Sequence, residues 1–82
     1  MKSESGRLAS LNIGVRLAEA RRQRGLTLAQ LGKKAGVAVS TVASIENQEK
    51  QPRSDTVEKL ARALAVPRSW LCFGDGSPPE WE

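Results

Sequence analysis

The stretch from Leu26 to Asn47 leaves the chain little choice of shape, because helix start and stop signals follow one another too closely for anything but short helices. Thr27 stands three residues before Gln30, the spacing at which each side chain satisfies a free backbone amide near the other at a helix start. Leu26 and Leu31 hold the two positions of a hydrophobic staple across the same start. Gly36 supplies the left-handed residue that closes a helix. Apolar residues resume at once with Val37, Val42 and Ile45, and Asn47 bounds them. These signals predict two short helices joined across Ala35, Gly36 and Val37 by a very tight turn.

The rest of the chain follows the same period. Ile13, Leu17 and Ala20 recur at i, i+4, i+7; Leu28, Leu31 and Ala35 at i, i+3, i+7; Val57, Leu60, Ala61 and Leu64 at i, i+3, i+4, i+7. No stretch alternates long enough to compete as a strand. Gly25 ends the first helix, and Ser54 caps a fourth with Asp55 in its first turn. Val66 and Pro67 end that helix and open a fifth around Trp70 and Leu71. The fold class expected is all-α, a compact bundle of five short helices.

At 82 residues there is room for one domain. Residues 1–9 read as a flexible polar arm, 10–73 as the folded domain and 74–82, with two glycines, two prolines and three acids, as a flexible acidic tail or linker. The opening has no apolar core of a signal peptide and no segment is long and apolar enough to span a membrane, so a cytoplasmic protein is expected. With no histidine and Cys72 as the single cysteine, the sequence offers no disulfide, no zinc cluster and no histidine-based triad. The G-x-x-x-x-G-K-[ST] phosphate loop is missing too. No enzyme, metal or cofactor is expected.

Charge is uneven. Residues 7–72 carry twelve basic and five acidic side chains, net +7, and residues 73–82 carry three acids and no base. A basic body suits a polyanion, and nucleic acid is the commonest one, although solubility alone would also account for the charge.

Two helices across a three- to four-residue turn with glycine are a helix-turn-helix. Here the run LTLAQLGKKAGVAVSTVASIENQEKQPRSDTVEKLARALAV, with IGVRLAEARRQRG before it and PRSWLCFGDG after it, resembles the Cro and C1 phage-repressor family. The likeness covers about residues 12 to 74 and rests on several coincident features: small Gly32 where the helices cross, Gly36 at the turn, apolar Leu31, Val37, Val42 and Ile45, and Glu46-Asn47 before a basic loop. It implies a helix-turn-helix domain whose third helix enters the major groove of double-stranded DNA. With Val42 and Ile45 turned inward, the outward stripe is Val39, Ser40, Ala43, Ser44 and Asn47.

The resemblance gives base contact to Val39, Ser40, Ala43 and Ser44, and phosphate contact to Asn47 and the loop holding Lys50 and Arg53. Backbone amides near Thr27 and Leu28 would bind a further phosphate at a helix N-terminus. Arg21 resembles a family arginine that pairs with a glutamate on the third helix, here Glu46, a structural ion pair with a phosphate contact as a second role. Trp70, Leu71 and Phe73 could be plain core, but the resemblance implies dimerisation through the last helix, with these three as the apolar candidates. Cys72 reads as a small buried hydrophobe, and Lys33, Lys34, Arg62 and Arg68 as solvated charges.

The chain departs from the family pattern at three places. Leu28 replaces a DNA-touching glutamine, Gln48 replaces a glycine, and Ala38 replaces the serine that caps the third helix. Ser40 or Thr41 could take over that cap, so capping and base contact both stand for Ser40. The reading stripe has no long polar side chain among its base-facing members, which places specificity on thymine methyls against Val39 and Ala43, on hydroxyl contacts and on DNA shape.

The leading expectation is a sequence-specific transcriptional regulator, a homodimeric repressor on a two-fold operator. An antitoxin-like module that masks a partner protein, with DNA binding secondary or lost, is the second reading, and a nonspecific nucleic-acid binder the third. The tail WLCFGDGSPPEWE resembles the start of the linker in longer repressors, which would make the chain the DNA-binding piece of a larger protein with a further C-terminal domain.

Overall fold

A computed structural model describes residues 12–74, so the expected arm at 1–9 and all but the first residue of the expected tail at 74–82 lie outside the described residues. Among the described residues the chain forms α1 (Ile13–Gln23), α2 (Leu28–Ala35), α3 (Val39–Glu46), α4 (Ser54–Leu64) and α5 (Arg68–Phe73). α3 packs on both α1 and α2, α4 joins α2 to α5, and α5 returns to α1. Helices of six to eleven residues are marginal alone, so their stability comes from the shared core.

That core is built from the periodic residues. Leu17, Leu31, Val42, Ile45, Val57, Leu60, Leu64 and Leu71 are essentially fully buried, with Ala20, Ala61, Val66 and Trp70 around them. Filling one such position with alanine costs about 2–5 kcal/mol, a large share of the stability of so small a domain.

Local signals fix the ends. The Thr27 hydroxyl accepts from the Gln30 amide at 3.0 Å and the Gln30 side chain accepts from the Thr27 amide at 2.9 Å, the reciprocal cap expected for α2. At α1 the cap is Asn12, whose Oδ1 accepts from Gly14 at 2.8 Å and Val15 at 3.4 Å, a start signal the sequence reading passed over. Two caps differ from expectation. Arg53, not Ser54, is the α4 cap residue, and Ser54 lies inside the first turn with no side-chain cap bond. α3 starts at Ala38 with no side-chain cap either, so neither Ser40 nor Thr41 takes the cap, and Ser40 stays exposed.

The first four helices end alike. In each a left-handed residue follows the last turn and the next amide reaches back five residues: Leu26 to Arg21, Val37 to Gly32, Glu49 to Ser44 and Val66 to Ala61, at 2.8 to 3.0 Å. The left-handed residue is Gly25 after α1 and Gly36 after α2, but Gln48 after α3 and Ala65 after α4, with φ of 65° and 57°. A residue with a Cβ costs roughly 1–2 kcal/mol more than glycine in this conformation.

Arginines reinforce the ends of α4 and α5. Arg16 is 2% exposed, and its Nε donates to the Leu71 carbonyl at 2.9 Å and its Nη2 to that of Cys72 at 2.7 Å. Arg24 donates from Nε to Leu64 at 2.8 Å and from Nη2 to Ala65 at 3.1 Å. Both satisfy carbonyls that a helix leaves open at its C-terminus, where a cation also suits the helix dipole.

Candidate nucleic-acid interface

The geometry around α3 is set by close approach at both of its ends. A Cβ added at Gly32 of α2 would lie 2.7 Å from the Val37 carbonyl and 3.4 Å from the Val39 Cα, so the α2–α3 turn has settled onto the space a side chain would need. At the other end Gly14 of α1 meets the Ile45 and Glu46 carbonyls, and a Cβ there would collide with the first of them.

Arg21 completes this clamp. Its Nε donates to Glu46 Oε2 at 2.7 Å and its Nη2 to Oε1 at 3.1 Å, while Nη1 donates to the Leu26 carbonyl at 2.9 Å. One guanidinium thus links α1, the entry to α2 and the last residue of α3. The side chains of the pair are 16% and 10% exposed. The hydrogen bonds to Glu46 push the Arg21 pKa further up from the usual arginine range, against the opposing effect of burial and with help from the charge of Glu46.

Held this way, α3 turns Val42 and Ile45 into the core, and Val39, Ser40 and Asn47 are exposed with Ala43 and Ser44 half-buried beside them. Val39 is 48% exposed, one of two large apolar side chains left open to solvent among the described residues. Val39, Ser40, Ala43 and Ser44 form one outward stripe on α3, which Asn47 extends from the C-cap.

The flanks are polar. Lys50 is exposed, and the Arg53 side chain is 86% exposed, 3.9 Å from Asp55, whose side chain is 64% exposed. Both cations border a notch of about 210 Å³ between α3 and the start of α4, which Thr41 and Thr56 also line. At the start of α2 Thr27 is exposed with its hydroxyl committed to the cap, and Leu28 is half-buried against the core. Leu28 therefore serves the core where the family pattern has a polar contact.

The candidate dimer residues separate. Trp70 is 5% and Leu71 0% exposed within one protomer, packed in the α4–α5 core, so neither has surface to give to a second copy. Phe73 alone of the three is open, at 65%. Cys72 is half-buried against the core.

Sequence reasoning missed Arg16 and Arg24, and the signal was available. Arg16 lies three residues after Ile13 and one before Leu17, on the buried stripe of α1, where a solvated cation has no place.

A helix-turn-helix with an outward recognition helix and cationic flanks is the architecture of a DNA-binding domain. A family model described as helix-turn-helix matches residues 17–71, and the chain belongs to this family, in its Cro/C1-type branch. Among its relatives in Bacillus subtilis (strain 168), an uncharacterized HTH-type transcriptional regulator, RghRB, is 42% identical over 64 residues, 77% of this chain and 46% of that protein. The HTH-type transcriptional repressor RghR is 35% identical over 66 residues, 79% of this chain and 49% of its own length. The HTH-type transcriptional regulator SinR is 40% identical over 55 residues, 66% of this chain and 50% of that protein. The chain thus spans about half the length of the curated relatives it matches. No helix among the described residues is long and apolar enough to cross a membrane.

Proposed function

We propose that the chain binds double-stranded DNA sequence-specifically as a transcriptional regulator, acting as a repressor and as a homodimer. The observation that carries this reading is the clamped α3, which offers Val39, Ser40, Ala43, Ser44 and Asn47 on one face while Gly14, Gly32 and Arg21 fix its angle. A helix held so rigidly suits the major groove, where small shifts would misalign every contact.

Val39, Ser40, Ala43 and Ser44 are assigned to base edges, with Val39 and Ala43 suited to thymine methyls and the serines to hydrogen-bonding edges. Asn47, Lys50 and Arg53 are assigned to phosphates, as are the backbone amides at Thr27 and Leu28. Phe73, exposed at the end of α5, is the anchor assigned to the dimer, which would set half-sites about 34 Å apart on the DNA.

The test starts from enrichment of duplexes out of a random genomic library, followed by titration of the best duplex and a scrambled one. Lys50→Ala should weaken both duplexes alike. Val39→Asn and Ser44→Leu should change which sequence is preferred while weak background binding stays. Equal losses on both duplexes for the Val39 and Ser44 variants would reduce the protein to a nonspecific binder, and no binding by the parent at low salt would end the DNA reading.

A further inference from the structure

Two residues in the first turn of α1 touch the ends of two different helices that the proposed function uses. Gly14 lies against the last turn of α3, so close to the Ile45 and Glu46 carbonyls that a Cβ would collide with the first. Two residues on, Arg16 holds the last turn of α5, donating from Nε to the Leu71 carbonyl at 2.9 Å and from Nη2 to that of Cys72 at 2.7 Å. The next residue of α5 is Phe73, the exposed anchor assigned to the dimer. Asn12 and Ile13 of this same turn border one notch of about 440 Å³ together with Ile45 of α3 and Cys72 of α5.

The start of α1 is thus a common base for the end of the recognition helix and the end of the helix that carries Phe73, and α1 packs on both. In a two-fold dimer the separation of the two recognition helices is set along a path from one α3 through its own α5 to the partner's α5 and α3, so play anywhere on that path blurs it. DNA is strict about that separation. One base pair more or less between half-sites shifts a half-site by about 3.4 Å and turns it by about 34° around the duplex axis. A guanidinium suits a fixed link of this kind, because its planar fork holds two carbonyls at once, where an ammonium is a single point on a flexible stem. With Arg16 only 2% exposed, little water reaches those bonds.

We infer that Arg16 is a positioning residue for DNA reading: by fixing the end of α5 on α1 it makes the dimer discriminate the spacing between half-sites. This rests on the proposed homodimer on DNA and deepens it, naming the residue through which two copies of one reading helix acquire a set separation. Arg24 supplies the control, since it makes a similar link from the end of α1 to the Leu64 and Ala65 carbonyls, at the end of α4 and not of α5.

The experiment titrates the parent, Arg16→Lys, Arg16→Met and Arg24→Met, all well below their melting temperatures, on the enriched duplex, on duplexes with one base pair added or removed between its half-sites, and on an isolated half-site. Sedimentation checks that each protein is dimeric. The parent should prefer the enriched spacing by about 100-fold, the range gained when a second tethered site engages. In both Arg16 variants the preference should fall to about 10-fold or less, because an unfixed α5 lets the second half-site engage at other spacings, with affinity for the isolated half-site unchanged. Arg24→Met should lower Tm and keep the parental preference.

Parental preference in either Arg16 variant would overturn the inference. An equal fall in Arg24→Met would do so as well, by making the effect one of general stability, and a monomeric Arg16→Lys would make the arginine a requirement for pairing and not for spacing. A dimeric parent that binds the enriched duplex without regard to spacing refutes this role and leaves the DNA reading standing. A parent that is monomeric or binds no duplex shows itself before any variant is compared; it fails the proposed function and takes this inference with it.

Discussion

Glu46→Gln tests the clamp on α3 with the smallest change of shape. Glutamine keeps one oxygen for the guanidinium and puts an amino group in place of the other, so a 2.7 or 3.1 Å bond becomes donor against donor. It also leaves the Arg21 charge uncompensated where its side chain is only 16% exposed. A hydrogen bond between charged groups contributes about 1.5–3 kcal/mol, and removing one partner of a deeply buried pair costs about 3–5 kcal/mol. Because the edge of this pair touches solvent, the lower part of that span applies, about 2–3 kcal/mol. For a domain of this size that lowers Tm by about 10–20 °C.

Circular-dichroism melts of the parent, Glu46→Gln, Arg21→Met and the double variant would give the coupling directly, expected at about 2 kcal/mol. The pH dependence has a definite sign. A folded-state pKa raised above the unfolded one gives stability that is complete below the unfolded value and lost as pH climbs through the folded value. For arginine that range lies in strong alkali, so the difference between parent and Glu46→Gln should stay constant from neutral to moderately alkaline pH. A coupling near zero, or melts that coincide, would show that the close packing at Gly14 and Gly32 holds α3 without the pair.

Other positions give further tests. Ala65→Gly should stabilise by about 1 kcal/mol, seen as a shift of the urea midpoint at unchanged slope. Arg16→Met strands the Leu71 and Cys72 carbonyls and should cost about 2–4 kcal/mol, with amide exchange in α5 accelerating before that in α2 or α3. Leu71→Ala should destabilise the monomer by about 2–5 kcal/mol, whereas Phe73→Ser should leave the melt of the monomer unchanged and weaken self-association in sedimentation. The opposite pattern for these two would return Leu71 to the interface.

The features legible in the sequence were those decided within a few residues. Thr27 and Gln30, the Gly36 turn and the apolar periods act over one or two turns of helix, and their spacing reports them directly. Most features that were not legible depend on partners far along the chain; the Asn12 cap, bonded two and three residues on, is a local signal that was passed over. Arg16 meets Leu71 across 55 positions and Arg24 meets Leu64 across 40. Trp70 and Leu71 looked equally fit for a core and for an interface, because burial within a protomer and burial between two leave the same apolar pattern. The left-handed Ala65 carried no signal, since alanine is the best helix former and gives no warning of a stop. In the candidate site the outward stripe of α3 followed from the inward set, while the reason for Leu28 emerged only from its packing against the core.

Charge shows the same limit and yields a number that can be measured. The net +7 of residues 7–72 suggests a strongly electrostatic partner, but net charge does not say where the cations point. Arg16 and Arg24 are bound to helix-end carbonyls and Arg21 to Glu46. Arg62 donates to Glu58 at 3.2 Å on the surface of α4, and Lys33 and Lys34 occupy the last turn of α2, at the opposite end from the amides proposed for a phosphate. The cations assigned above to phosphates are Lys50 and Arg53, two per subunit and four in the proposed dimer. Each neutralised phosphate contributes about 0.9 to the slope of log K against log salt, so the dimer should show a slope of about −3 to −4. If the whole basic surplus acted on DNA the slope would be about −13. Lys50→Ala should then remove close to half of the observed slope, and a parental slope beyond about −7 would mean that cations on α1 or α2 also lie along the duplex.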